Sequence, residues 1–358
     1  MKPEGTLLLQ RRDVAKLLSI EECIDAVEEA FKIHAEGRAM PPKVLGMHAE
    51  HGGFHIKAGI LGLSKPYFVA KVNANFPGNK QHALPTIQGI IVVCDAKNGR
   101  LLGVMDSIEI TIIRTGAATA VAAKYLAPYD VKSITICGCG NQGRISLKAL
   151  MKVRSFEKVY AYDIDEKQLT AFKTEFEKDV QVIPISANEL TMALKHSQIC
   201  VTCTPSKKPF VGIEDIMPGT FIAAVGADSE EKQELCPELI ASSKIVVDLK
   251  EQSAVIGELH HAIDQNMLTL AAIHAELGMI IAGKKPGRES DEEIIIFDST
   301  GMALQDVAAA SLVYEKALRN KIGTTLNFLE DADTCSNLTS IKNSRSDVDT
   351  LKRWFPFH

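Results

Sequence analysis

No apolar run in this 358-residue chain reaches the roughly 18 residues that a membrane-crossing helix needs. Strong charge of one sign is missing too. The formal net charge of −5 gives no reason to expect nucleic acid or an anionic membrane surface as partner. Met1 to Gly5 carries one positive side chain, and the apolar stretch Thr6 to Gln10 is too short for a signal peptide, so the expected location is the cytoplasm. No internal repeat is visible, and the single tryptophan, Trp354, lies close to the C-terminus. Eight cysteines are present, without the spacing of a disulfide framework. Cys137-x-Cys139 and Cys200-x-x-Cys203 sit at the ends of predicted strands and read as buried, reduced thiols, so no metal site is expected. What remains is ordinary: 46% hydrophobic and 24% charged residues, in a chain long enough for about two domains.

The most informative stretch is Ser133 to Gly143, followed by Asp163. Ser133 to Cys137 is a β-branched run, and Gly138, Gly140 and Gly143 have the G-x-G-x-x-G spacing. The first glycine allows a tight turn, the second lets the backbone approach a pyrophosphate, and the third lets the helix pack against the strand. Asn141 and Gln142 complete the loop, where exposed N–H groups at the helix start favour an anion. Lys158 to Tyr162 reads as the second strand, with Asp163 at its end, 20 residues past Gly143. A carboxylate there binds both ribose hydroxyls of NAD and repels a 2′-phosphate. NAD is therefore the expected cofactor.

Around this unit the pattern changes. Ser19 to Gly37 is an amphipathic helix with a Ser19/Glu22 capping box. Strands are predicted at 44–48, 54–58, 67–73, 89–94 and 101–105, with an Asn98-Gly99 hairpin before the last. A long helix covers 107–127. From 133 onward strands and helices alternate, which predicts a parallel, doubly wound sheet. A further strand at 294–297 and a helix from 301 to about 320 follow, the helix returning to the first unit. The expected fold class is α/β: a Rossmann doubly wound sheet plus an α+β substrate and dimerisation domain. The expected divisions are 1–127, completed by the helix 301–328; 128–300 for NAD; and a polar tail over 329–358.

Open parallel sheets bind ligands at the carboxyl ends of their strands. There, Phe221 to Val225 leads through Gly226 to Asp228, a candidate general acid or base or else a turn aspartate. Lys71 interrupts the apolar run Phe68-Val-Ala-Lys-Val. A buried lysine needs a partner or a task, such as holding a substrate carboxylate or moving a proton. The alternative is an edge strand with the stem snorkelling. Arg114, mid-helix, suits bidentate carboxylate binding, or else a structural pair with Glu109 or Asp106. Lys43 follows Pro41-Pro42, and His55 and Lys57, two apart, share one strand face. Several cations facing a NAD cleft point to an anionic substrate. The acidic run from Glu289 to Glu293 reads as a solvated loop, and His260-His261 as ordinary surface histidines.

Together these residues resemble the ornithine cyclodeaminase/μ-crystallin family. The resemblance rests on Pro41-Pro-Lys43, Lys71 to Asn79, Leu84-Pro-Thr86, Arg114-Thr-Gly-Ala-Ala, Gly138 to Gly143, Val225-Gly-Ala-Asp228, and Gly287 to Glu293 with Phe297 to Gly301. It spans about residues 6 to 328 and looks closest to the archaeal-type alanine dehydrogenases and related imine reductases. It implies a homodimer. It also implies Lys43, Lys71 and Arg114 at the substrate carboxylate, with Thr86 in the same motif set, and Lys71 and Asp228 as the catalytic pair. Thr202, Thr204 and Ser299 match cofactor-side loops. Cyclodeaminases of this family place a carboxylate on the strand that here carries His55 and Lys57. A cationic site repels the δ-ammonium of ornithine, so a small amino or imino acid is expected instead. The expected reaction is NAD-dependent oxidoreduction at a C–N bond. Two alternatives stand beside it: an ammonia-releasing cyclodeaminase that uses NAD transiently, and a μ-crystallin-like NAD(P)H-binding protein.

Overall fold

The apolar, β-branched runs between 43 and 106 fold into antiparallel strands, and those after 133 into parallel ones. The computed structural model describes residues 5–63, 65–227 and 229–327. Its first sheet runs, edge to edge, Thr324–Leu326, Thr6–Leu9, Leu101–Asp106, Ile87–Asp95, Pro66–Asn75, Gly52–Gly62 and Lys43–Ala49. The strands at Thr6–Leu9 and Thr324–Leu326 were not expected. They pair across the whole chain, and runs of three or four residues carry no usable period.

Helix Ala303–Asn320 covers one face of this sheet. The approach is close: a Cβ on Gly59 would lie 2.9 Å from Leu304 Cδ2. Tyr67, Val69 and Lys71 point into that face and are buried. The opposite face leaves Leu45, Met47, Phe54 and Ile90 between 41% and 56% exposed. Helix Ile20–Ala35 starts at Ser19 with the expected capping box, and its Glu22 also pairs with Lys316 at 2.6 Å. This pins the first long helix to the last one.

The second sheet is wholly parallel, in the order 273–276, 244–247, 295–298, 221–224, 199–202, 133–137, 158–162, 181–184. Chain order reverses between 133–137 and 199–202, which makes a crevice at their carboxyl ends. Helix Ile108–Leu126 joins the two sheets. Its Gly116 lies so close to the next helix that a Cβ would sit 2.8 Å from Ile145 O. Arg288 donates to Leu126 O (2.8 Å) and so caps the far end of the same helix. The acidic run is an exposed loop as expected, but it is tied down: Glu289 and Glu293 both grip Lys244, at 2.8 and 2.9 Å.

Candidate active site

Strand Ser133–Cys137 ends at Gly138, whose φ of +105° lies in the region that favours glycine. A Cβ on Gly143 would lie 1.9 Å from Gly138 O, so the helix Asn141–Val153 can start only against a bare glycine. Gly140 is different. A Cβ there would meet no atom within 4 Å, so the backbone N–H groups at this helix start border open space. Asp163 ends the neighbouring strand and accepts from Cys139 N (2.7 Å) and Asp165 N (2.8 Å). The carboxylate is thereby fixed beside the loop. Gln142 Oε1 and Ser299 Oγ are buried without a hydrogen-bond partner among the described residues. Buried polar atoms without partners are rare unless a ligand or water completes them. Open space over Gly140, an oriented Asp163 and these two atoms fit a dinucleotide.

Lys71 is 2% exposed, on a central strand of the first sheet and directly opposite Lys57. The edge-strand alternative is therefore excluded. Its Nζ lies 2.8 Å from both carboxylate oxygens of Asp306. Arg114 Nε lies 3.2 Å from the same carboxylate, and its guanidinium donates to Gln305 Oε1 at 2.9 Å. Glu109 and Asp106, the partners suggested by sequence, are engaged elsewhere: Glu109 with Arg11 at 2.6 Å and Asp106 with Ile108 N at 2.9 Å. Lys57 donates to Thr300 O (2.9 Å) and Gly301 O (2.7 Å). Burial pulls the Lys71 amine down to about 7, against the opposing pull of Asp306. Burial also resists ionisation of Asp306, but Lys71 and Arg114 outweigh it and hold its carboxyl below the usual range.

This cluster sits at the carboxyl end of the parallel sheet. Thr300 and Gly301 follow strand Ile295–Asp298 after Ser299, and Asp248, at the end of the next strand, accepts from Thr300 Oγ1 (2.9 Å) and Gly301 N (2.6 Å). Strand Phe221–Ala224, which leads through Gly226 toward Asp228, lies on the other side of 295–298. Asp228 itself is outside the described residues. The chain just beyond it is held by three side chains. His260 and His261 contact the carbonyls of Glu230 and Lys232, at 3.1 and 2.8 Å, and Glu258 accepts from Glu234 N and Leu235 N. The two histidines are thus braces. Thr204 binds Glu234 through its N and Oγ1 (2.6 and 2.7 Å), and Thr202 is buried at the end of its strand.

His55 is half-buried on the same strand as Lys57 and pairs in register with Asn73. Lys43 does not join the cluster within one chain. It pairs with Ala58, one residue off Lys57, and a one-residue step turns a side chain to the other face of a sheet. The Thr86 carbonyl accepts from Phe76 N at 2.8 Å, closing the 76–86 loop that Asn79 ties to Pro85 O. Asn73 accepts from Ser107 Oγ at 2.6 Å and so fixes the start of the helix that carries Arg114. Asp306, Gln305 and Asp248 were missed by sequence reasoning. The one available signal for Asp306 was an acid in the first turn of an otherwise apolar helix.

A parallel nucleotide-binding sheet whose carboxyl edge meets a buried cation cluster defines the dinucleotide-dependent class of α/β proteins that act on small anions. The chain belongs to the ornithine cyclodeaminase/mu-crystallin family, which it matches over residues 4–321. It is 41% identical over 326 residues to the alanine dehydrogenase of Archaeoglobus fulgidus, covering 90% of this chain and 98% of that protein. An archaeal alanine dehydrogenase dimer solved with bound NAD superposes with a TM-score of 0.87 at 39% identity, over 91% of this chain and all of that one. The Thermococcus litoralis Δ1-pyrroline-2-carboxylate reductase, solved with NADH and L-proline, gives 0.85 at 34% identity, over 90% and 100%.

Proposed function

We propose that this protein is an NAD(H)-dependent oxidoreductase that interconverts a small α-imino acid and the corresponding α-amino acid. One observation carries the reading. Lys71 and Arg114, both buried, share one buried carboxylate at the carboxyl edge of the nucleotide sheet, with Lys57 beside them. Such a site is short of negative charge, and a substrate carboxylate supplies it. NADH, when bound over Gly140, supplies the hydride that the imine carbon receives. The residues do the rest. Arg114 orients the substrate carboxylate with the part of its fork that Asp306 and Gln305 leave open. Lys71, with its amine near neutrality, gives the proton that the nitrogen acquires, and Asp228 is its proposed partner. No carboxylate on the Gly52–Gly62 strand awaits a distal ammonium, which disfavours ornithine.

The exposed apolar face of the first sheet supports a second copy of the chain as partner, and a relative's dimer agrees. We place the substrate and dimerisation unit at 1–127 with helix 301–328, and the NAD unit at 128–300. The deciding experiment is an NADH-linked assay with pyruvate plus ammonia, pyrroline-2-carboxylate, piperideine-2-carboxylate, iminosuccinate and ornithine. At least one imino acid consumes NADH stoichiometrically. Tight NADH binding with no turnover would instead mark a binding protein. Ammonia release from ornithine with no net NADH change would mark a cyclodeaminase.

A further inference from the structure

Lys71 and Arg114 come from different elements and end on one carboxylate to which no sequence motif pointed. Asp306 stands in the first turn of helix Ala303–Asn320 and is 1% exposed. Both its oxygens lie 2.8 Å from Lys71 Nζ, and Oδ1 lies 3.2 Å from Arg114 Nε. The Arg114 fork has no room to swing away. Gly301, with φ +83°, backs it so closely that a Cβ there would lie 2.7 Å from the guanidinium. We propose that Asp306 is the positioning residue of this site: it holds the Lys71 amine and the Arg114 fork in place and governs how readily Lys71 releases its proton. The proposal rests on the imine-reduction reading above.

A plain structural role accounts poorly for this arrangement. One carboxylate between two cations leaves excess charge in the interior, and apolar packing of the same volume stabilises a fold as well or better. The charged and titratable groups facing the cluster are few. Arg114 comes from helix Ile108–Leu126 and Lys57 from the adjacent strand. Cys23, on helix Ile20–Ala35, faces Arg114 and Asp306, but burial pushes its thiol up to about 12 and it stays neutral. Among the described residues Asp306 is the one acid in contact with both Lys71 and Arg114, while Asp248 is engaged by Thr300 and Gly301 N. Without the Asp306 carboxylate, Arg114 and Lys57 still disfavour the Lys71 ammonium and the opposing pull is gone, so Lys71 sheds its proton more easily. An arriving substrate carboxylate acts the other way: it favours the ammonium and so charges the proton donor as the substrate binds.

The test is the pH dependence of kcat/KM for NADH-linked reduction of whichever imino acid the enzyme turns over. In the unaltered enzyme, activity falls as pH rises through the Lys71 ionisation. In Asp306→Asn that limb moves at least about one unit to lower pH, so kcat/KM at pH 8 falls at least about tenfold while NADH affinity is kept. Asp306→Glu restores part of both. A limb unmoved in both variants overturns the proposal. If Asp306→Asn does not fold, the double variant Lys71→Met/Asp306→Asn decides. Recovery of folding and NADH binding shows that the carboxylate answers to Lys71, whereas a double variant that also fails to fold makes Asp306 structural and overturns the idea. If the unaltered enzyme reduces no imino acid, the functional reading fails by itself. Proton uptake on binding pyrrole-2-carboxylate, measured calorimetrically in two buffers, then tests Asp306 without turnover. Its pH midpoint falls in Asp306→Asn if the proposal holds and stays put if it does not.

Discussion

The nucleotide side and the substrate side of the cleft differ in where their residues come from. Gly138, Gly140, Gly143 and Asp163 lie within 26 consecutive residues, on one strand–helix–strand unit. Lys57, Lys71, Arg114 and Asp306 span 250 residues and come from two strands and two helices. The two sides also bury opposite charges. Around the nucleotide loops, Glu234, Glu258 and Asp298 are nearly or wholly inaccessible, whereas the substrate side buries Lys57, Lys71 and Arg114 beside Asp306 and Asp248. Both arrangements cost solvation. The first side spends it bracing loops through backbone N–H groups; the second keeps an anion-sized deficit of charge for a ligand. A motif built from neighbours can act alone, while a site built from distant elements exists only when the whole fold is formed.

The largest expected effect breaks the substrate side alone. Lys71→Met removes the proposed proton donor and is expected to lower kcat by ~10²–10⁴. NADH affinity stays, because no nucleotide-side residue among those described touches Lys71, and fluorescence titration with NADH checks this. Equal losses of NADH binding and turnover would mean that the two sides are not separable.

This contrast also explains what the sequence could show. The glycine loop and Asp163 were legible because their chemistry depends on local spacing. The strands at 67–73 and 89–94 were legible as short apolar, β-branched runs, and Lys71 stood out because it breaks one of them. Asp306 was hidden because its meaning depends on Lys71, 235 residues away. Lys43 was misplaced within the chain because a family position does not report sheet register, and register sends it to the other face. Helices Lys250–Ile256, Glu258–Asp264 and Leu277–Ile281 were missed for a different reason: at five to seven residues each they are too short for a helical period to show. The histidines on the second of these helices looked idle because their partners are backbone carbonyls, which have no sequence signature.

A smaller effect sharpens the nucleotide side. Asp163→Ser removes the carboxylate expected to repel a 2′-phosphate, and also its grip on Cys139 N and Asp165 N. The ratio of kcat/KM for NADH over NADPH is expected to fall about tenfold, equivalent to roughly 1.4 kcal/mol. The pH limb assigned to Lys71 should not move. A ratio unchanged within error would remove Asp163 from cofactor selection.

The smallest expected effect compares both sides in one measurement, the dependence of unfolding free energy on pH. Burial raises Glu234 and Asp298 to about 7, above their unfolded values near 4. The native state then binds more protons than the unfolded chain between roughly pH 4 and 7, so their contribution to stability falls as pH rises through that window. Lys71 has the opposite sign. Its amine is pulled down to about 7 from an unfolded value of about 10.4, so the unfolded chain binds the extra proton. Its contribution to stability is smallest below pH 7 and grows from there to about 10. Glu234→Gln keeps an oxygen for Thr204 N but cannot titrate. Denaturant titrations at pH 5, 6, 7, 8 and 9 should show the acid-window slope flattened by at most ~1.4 kcal/mol per pH unit, with the slope above pH 7 unchanged. Lys71→Met should do the reverse, flattening only the alkaline window. If either substitution flattens both windows, the two sides titrate as one network and the division drawn between them is wrong.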